Sequence, residues 1–184
     1  MTKLLGISGS LRRGSFNTAL LKAAATLLPA DTTLDVRTLH GIPLYDADVE
    51  AIGVPAAVSE LKDAFAAADG VLLCTPEYNN SIPGVFKNGI DWLSRPPADS
   101  TRVFAGRPVA IMGASPGGFG TILSQNAWLP VLRTLGTNPW FGAKLMVSRA
   151  ASVFDENGAI KDASVSEQVK KYLAGFVEFV KSQR

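Results

Sequence analysis

The chain predicts an α/β fold in one domain, residues 1–184: a doubly wound parallel sheet of five strands with helices on both faces. Three observations carry this. Short apolar-rich runs without alternation read as strands buried on both faces. Longer stretches with apolar residues three and four apart read as amphipathic helices. The two kinds of segment then follow one another in strict alternation, five strands and five helices.

Residues 3–8 (KLLGIS) form the first strand and end at the turn residues Ser8 and Gly9. Residues 16–28 are helical, with Leu20, Leu21, Ala24, Leu27 and Leu28 at helical spacing and a stop at Pro29. Residues 33–39 alternate apolar and polar, as a half-buried or edge strand does. Residues 55–68 are an Ala-rich helix with Val58, Leu61, Ala64, Phe65 and Ala68 on one face and Pro55 near its start. Residues 70–75 (GVLLCT) are a second buried strand, cut off by Pro76, and residues 83–93 a helix with Pro83 in its first turn. Residues 108–112 are a third buried strand leading into the glycine-rich segment 113–120. Residues 121–135 are helical with Pro130 inside, which predicts a kink or a late start. Residues 143–147 complete the sheet. Residues 165–181 are a terminal helix carrying Val169, Tyr172, Leu173, Phe176, Val177 and Val180.

Hydrophobic residues make up 47% and charged residues 18%, which excludes intrinsic disorder. So low a charged share points to apolar surface covered by a second subunit: a homodimer, with a homotetramer as the alternative. Eighteen basic against 16 acidic residues leave +2, with no basic footprint for nucleic acid. Cys74 is the only cysteine and His40 the only histidine, so no disulfide forms within the chain. A structural zinc site, which needs about four such ligands, has too few. The N-terminal MTKLLGISGSLRRGS lacks the apolar core of a secretory signal, and no run reaches the ~20 residues of a membrane helix. A cytoplasmic location is the expectation.

Ligands on such sheets bind beyond the carboxyl ends of the strands, so the segments that follow the strands hold the candidate site. After the first come Ser10, Arg12, Ser15, Phe16 and Asn17. Hydroxyls, an amide, a guanidinium and the free N–H groups of a helix start suit one phosphate; the plainer reading is a polar turn with arginines in solvent. After residues 70–75 come Pro76, Glu77, Tyr78, Asn79 and Ser81, a stiff amide-rich turn with an aromatic side chain. That composition suits a flat heterocycle, the alternative being a turn that caps the next helix. After residues 108–112 come Ser115, Gly117 and Gly118, where backbone N–H groups can meet an anion or a carbonyl. The crevice fits a mononucleotide with a planar ring, FMN before others. A chain with one histidine and one cysteine must take its reactive atom from a cofactor, so no catalytic side chain and no metal is assigned.

Two familiar motifs nearly match and fail. Gly9 and Gly14 have the spacing of a triphosphate loop, but Ser15 stands where that loop needs lysine. Gly113, Ser115 and Gly117 match a hydrolase nucleophile elbow, but Pro116 removes the oxyanion N–H and no histidine follows.

Two motifs carry a family resemblance. They are Gly9-Ser10-x-Arg12-x-x-Ser15-x-Asn17 and Pro76-Glu77-Tyr78-Asn79-x-Ser81-x-Pro83-Gly84-x-x-Lys87-Asn88-x-x-Asp91-Trp92. Through them the chain, over essentially its whole length, resembles the NAD(P)H-dependent FMN reductase family of flavodoxin-like fold. Within that family the likeness is to the bacterial soluble quinone, chromate and ferric-chelate reductases. The resemblance implies the strand order 2-1-3-4-5. It also implies that Ser10, Arg12, Ser15 and Asn17 hold the FMN phosphate, that residues 76–79 with Ser81 line the isoalloxazine, and that Ser115, Gly117 and Gly118 follow its pyrimidine edge. Residues 87–92 would be structural and help a dimer contact. Tyr78 would stack on or gate the substrate. Arg95 would be an interface arginine or would meet an anionic substrate or a nicotinamide nucleotide phosphate. The implied reaction is ping-pong hydride transfer from NADH or NADPH through flavin N5 to small acceptors such as quinones, chromate or ferric chelates. The alternative is a flavodoxin-type electron carrier without pyridine-nucleotide activity; a net charge of +2 argues against it, since such carriers are usually acidic. Cys74 reads as a core thiol, His40 as a surface-loop histidine, and Trp128 and Trp140 as core or subunit contact.

Overall fold

In the computed structural model, which describes residues 1–184, strand β1 (Thr2–Ser8) lies between β2 (Thr32–Thr38) and β3 (Gly70–Cys74). β3 pairs with β4 (Pro108–Ala114), and β4 pairs with two short pieces, β5 (Asn138–Pro139) near its start and β6 (Leu145–Val147) near its end. Every pairing is parallel, and the order β2-β1-β3-β4-β5 is that of a flavodoxin-like sheet. The last sheet position is split where one strand over 143–147 is expected. Trp140 still donates its backbone N–H to Val109, but its ring packs 5.0 Å from Tyr172, and Phe141 to Lys144 run exposed before the chain rejoins β4.

Helix α1 (Phe16–Thr26) joins β1 to β2; α2 (Ala47–Ile52) and α3 (Ala56–Ala67) join β2 to β3. Helices α4 (Gly84–Leu93) and α5 (Pro97–Phe104) precede β4, α6 (Ile122–Thr134) follows it, and α7 (Ala150–Val153) and α8 (Ala163–Ser182) end the chain. The strict one-to-one alternation is therefore corrected by three short helices, α2, α5 and α7. Helix α2 buries no side chain, so it has no apolar stripe; Asp46 starts it by accepting from the Asp48 N–H. Helix α6 begins at Ile122 without a late start, and Pro130 and Asn126 are both exposed, where water can serve the carbonyl that Pro130 leaves without a donor.

The central strands read as unpatterned apolar runs because both faces are covered. On one face Leu4, Leu72, Cys74, Ala110 and Met112 pack under α1 and α8 through Leu20, Leu21, Val169 and Phe176. On the other, Leu5, Ile7, Leu73 and Val109 meet Phe65, Phe86, Trp92 and Trp128. Strand β2 alternates half-buried and exposed residues, as an edge does. Parallel pairing places every strand's carboxyl end on one rim, which gathers the loops after Ser8, Cys74, Ala114 and Val147. No helix is long and apolar enough to cross a membrane.

Candidate functional site

The ladder continues past the strands and fixes the loops relative to one another. Gly9 N–H donates to the Cys74 carbonyl at 2.9 Å, Thr75 N–H to Met112 at 2.8 Å, and Ser115 N–H to Val147 at 2.9 Å. The approach is close enough to demand glycine at 113, where a Cβ would lie 2.3 Å from the Thr75 carbonyl and 2.1 Å from Thr121 Oγ1. Buried hydroxyls reinforce the seam: Thr75 Oγ1 lies 2.8 Å from Ser124 Oγ and accepts from Trp128 Nε1 at 3.2 Å.

The first loop is built around a helix start. Ser15 caps α1, its hydroxyl oxygen accepting from the Thr18 N–H at 3.2 Å, and Ser10 Oγ accepts from the Arg12 N–H at 3.3 Å. The backbone N–H groups of Leu11, Arg13, Gly14, Ser15, Phe16 and Asn17 donate to no protein acceptor. With the positive end of α1 behind them, they form an anion cradle. Arg12 turns back over this loop: its Nε donates to the Gly14 carbonyl at 3.1 Å and its guanidinium lies 5.3 Å from the Phe16 ring centroid.

The Asn17 side chain, expected on the phosphate, turns to strand β4. Its Nδ2 donates to the Ala114 carbonyl and its Oδ1 accepts from the Ala114 N–H, both at 2.9 Å and buried. A buried amide must satisfy both ends, and here strand β4 does so, leaving the Asn17 side chain as a clamp between the first and third loops.

In the second loop, Tyr78 and Ser81 exchange backbone hydrogen bonds of 3.2 and 3.0 Å around Asn79 (φ 49°) and Asn80 (φ 62°). Two successive left-handed residues make a type I′ turn, which asparagine tolerates; Asn79 is thus a turn residue first. Pro76 is buried, and the Tyr78 ring stands 48% exposed on the rim. The Glu77 side chain turns toward the third loop: its Oε2 accepts from the N–H groups of Leu123 at 2.8 Å and Ser124 at 3.0 Å. It thereby caps α6 and ties the second loop to the third.

In the third loop, Ser115 Oγ donates to the Gly120 carbonyl at 2.6 Å and closes the turn on itself. A Cβ at Gly118 would meet nothing within 4 Å, so the backbone there is open to a partner. Gly117 O accepts from the Arg149 N–H at 2.9 Å. Arg149, absent from the sequence reading, is a non-glycine residue in left-handed conformation (φ 49°), held there because Ser115 also takes the Ala150 N–H.

Arg95 is not brought to these loops. It follows the far end of α4, whose ten residues span about 15 Å. Its Nε donates to Glu50 at 3.1 Å, and its guanidinium lies 6.0 Å from the Tyr45 ring centroid. The Tyr45 hydroxyl and Arg95 together hold the Glu50 carboxyl below its ordinary range, while Glu50 raises both Tyr45 and Arg95. The motif residues before it brace the same region, with Asn88 Nδ2 and Trp92 Nε1 both donating to the Pro43 carbonyl. A cavity of about 610 Å³ runs along α1 to the turn around Asp155 and touches only the Arg13–Phe16 edge of the cradle.

Comparison with known proteins places this geometry. Residues 2–152 match the model of the NADPH-dependent FMN reductase family. An NAD(P)H-dependent FMN reductase of Pseudomonas aeruginosa is 42% identical over 182 residues, covering 99% of this chain and 97% of the relative. A 2-hydroxy-1,4-benzoquinone reductase of a Burkholderia species is 40% identical over 176 residues, 96% of this chain and 92% of its own. The solved structure of FerB, a flavoenzyme NAD(P)H:acceptor oxidoreductase of Paracoccus denitrificans, superposes with a TM-score of 0.87 at 31% identity, covering 100% of this chain and 99% of that one. With its flavodoxin-like sheet and a row of free backbone N–H groups after its first strand, the chain belongs to the NADPH-dependent FMN reductase family.

Proposed function

We propose that this chain, a flavin-dependent NAD(P)H oxidoreductase by family, holds FMN and passes electrons from NADH or NADPH to small acceptors in a ping-pong cycle. Quinones are the first acceptor class; chromate and ferric chelates belong to the same reading. The observation that carries it is the row of unpartnered N–H donors at the start of α1, laced to the open backbone at Gly118 across one rim. The donor set fits FMN: a phosphate takes the cradle, and a planar ring needs the bare glycine backbone and an exposed aromatic wall.

FMN, when bound, supplies a hydride-accepting N5 that no side chain of this chain supplies. Ser10, Ser15 and the backbone N–H groups from Arg13 to Asn17 bind the phosphate. Arg12 adds the balancing charge on one side, having donors to spare beyond Gly14. Pro76 and Tyr78 wall the ring, and Tyr78 stacks on or gates the acceptor. The N–H groups near Gly117 and Gly118 would face the ring's edge as fixed donors, which is electrostatic preorganisation in place of acid–base catalysis. Asn17, Glu77 and Ser115 hold the loops in place. Arg95, paired with Glu50 beyond the far end of α4, is read as a structural arginine. The relatives named above for FMN and benzoquinone reduction support the donor and the acceptor class.

Exposed Leu44, Ile52, Phe119 and Phe141 support a homodimer, and the cytoplasm is the compartment of this reading. Light scattering should then return about twice 19.4 kDa. The functional test is spectroscopic. Protein loaded with FMN and desalted should stay yellow, bleach under anaerobic NADH or NADPH, and regain colour on addition of 1,4-benzoquinone. Initial rates should give parallel double-reciprocal lines. Failure to retain FMN would remove the cofactor reading, and retained flavin that neither nucleotide bleaches would leave an electron carrier instead.

A further inference from the structure

The cradle loop has one brace that neither the motif nor the reaction accounts for. His40 lies just beyond edge strand β2, with Nδ1 2.9 Å from Thr38 Oγ1 and Nε2 3.1 Å from the Leu11 carbonyl oxygen. A carbonyl only accepts, so Nε2 carries the proton, and in the neutral ring Nδ1 accepts from the Thr38 hydroxyl. The imidazole thus bridges β2 to the outer limb of the first loop.

The rest of that limb is tied only to itself. Between Ser10 and Gly14 the other protein hydrogen bonds run from the Arg12 N–H to Ser10 Oγ and from the Arg12 guanidinium to the Gly14 carbonyl. The loop is anchored at its ends, by Gly9 N–H on Cys74 and by Asn17 on Ala114. From Ser10 to Gly14, His40 is the only residue outside the loop that bonds to it. A cradle made of backbone N–H groups binds an anion well only while those groups converge, and any ordering deferred until binding subtracts from affinity.

We infer that His40 is a positioning residue for the cofactor phosphate, acting through Leu11 and touching neither the flavin ring nor the substrate. The inference rests on the FMN reading, and the experiment separates the two. Dissociation constants for FMN and for riboflavin are measured on wild type, His40→Ala and His40→Gln. One neutral hydrogen bond corresponds to an FMN affinity about 3- to 10-fold weaker in His40→Ala. Riboflavin, which has no phosphate to place, should bind as before, and His40→Gln should recover most of the loss because its amide N–H reaches the same carbonyl. Equal losses for FMN and riboflavin, or no loss for either, would overturn the inference. Wild type that binds no FMN would instead overturn the cofactor reading. A second measurement needs no variant. The chain's single histidine gives one pair of ring ¹⁵N signals, which for the neutral ring should show protonated Nε2 and bare Nδ1. The opposite tautomer, which would set a lone pair against the Leu11 oxygen, refutes the brace.

Discussion

Asn17 and Ala114 stand 97 residues apart and are joined by two buried hydrogen bonds of 2.9 Å, one in each direction. The amide completes the backbone of β4 where the strand runs out, and so sets the spacing of the first and third loops. Asn17→Ala strands both a buried N–H and a buried C=O, at a cost of about 2–4 kcal/mol. Asn17→Asp keeps an acceptor for the N–H but turns a carboxylate oxygen on the Ala114 carbonyl, and should destabilise comparably. Urea unfolding measures both; a loss below about 0.5 kcal/mol would mean that the clamp carries no weight.

Glu77 separates charge from geometry. Glu77→Gln keeps an oxygen for the N–H groups of Leu123 and Ser124, so the seam between the second loop and α6 should survive with a small loss of stability. Glu77→Ala removes the cap, costing about 1–2 kcal/mol, and should weaken FMN binding as the two loops part. Thermal unfolding and flavin titration of the pair report this; equal behaviour of the two variants would contradict the capping role.

The cradle itself is tested by subtraction. Arg12→Ala with Ser15→Ala removes the guanidinium over Phe16 and the cap of α1. The double variant should lose FMN on desalting, while Ser115→Ala, which only opens the Gly120 closure, should slow turnover moderately. Stoichiometric flavin in the double variant would show that the phosphate lies elsewhere.

A pH effect is expected from Asp99. Lys62, 2% exposed, donates to its carboxylate at 3.1 Å and, with Arg102, holds the Asp99 carboxyl below its ordinary value against the opposing effect of burial. A group depressed in the folded state adds stability above its unfolded pKa of roughly 3.9, lost as pH falls through the depressed value. Unfolding free energy should therefore drop as acid passes below about pH 4, and Asp99→Asn should flatten that part of the profile. At pH 7 the variant should be about 1–2 kcal/mol less stable, since Lys62 is buried but solvent screens the carboxylate, which is a third exposed. Urea titrations from pH 2.5 to 7 would show it.

What the sequence made legible follows the range of the interactions. Strands buried on both faces announced themselves at Leu4, Leu5, Leu72 and Leu73, and their order followed from the family motif. The short helices did not, although Asp46 before α2 and Pro97 in the first turn of α5 were local signals. At the site, the cradle and the open glycines were readable because a helix start and a turn are local. The structural partners of the Asn17 and Glu77 side chains were not readable, because they lie 97 and 46–47 residues away. His40 hid for the same reason, its Leu11 contact spanning 29 residues.

Cys74 closes strand β3 with no exposed surface, and burial pushes its thiol well above the usual range. The folded chain therefore offers no thiolate to electrophiles, and alkylation of Cys74 must wait for the sheet to open. Labelling of this lone thiol becomes a clock for transient unfolding at the centre of the protein, and a bound ligand that spans the rim should slow that clock in proportion to its occupancy.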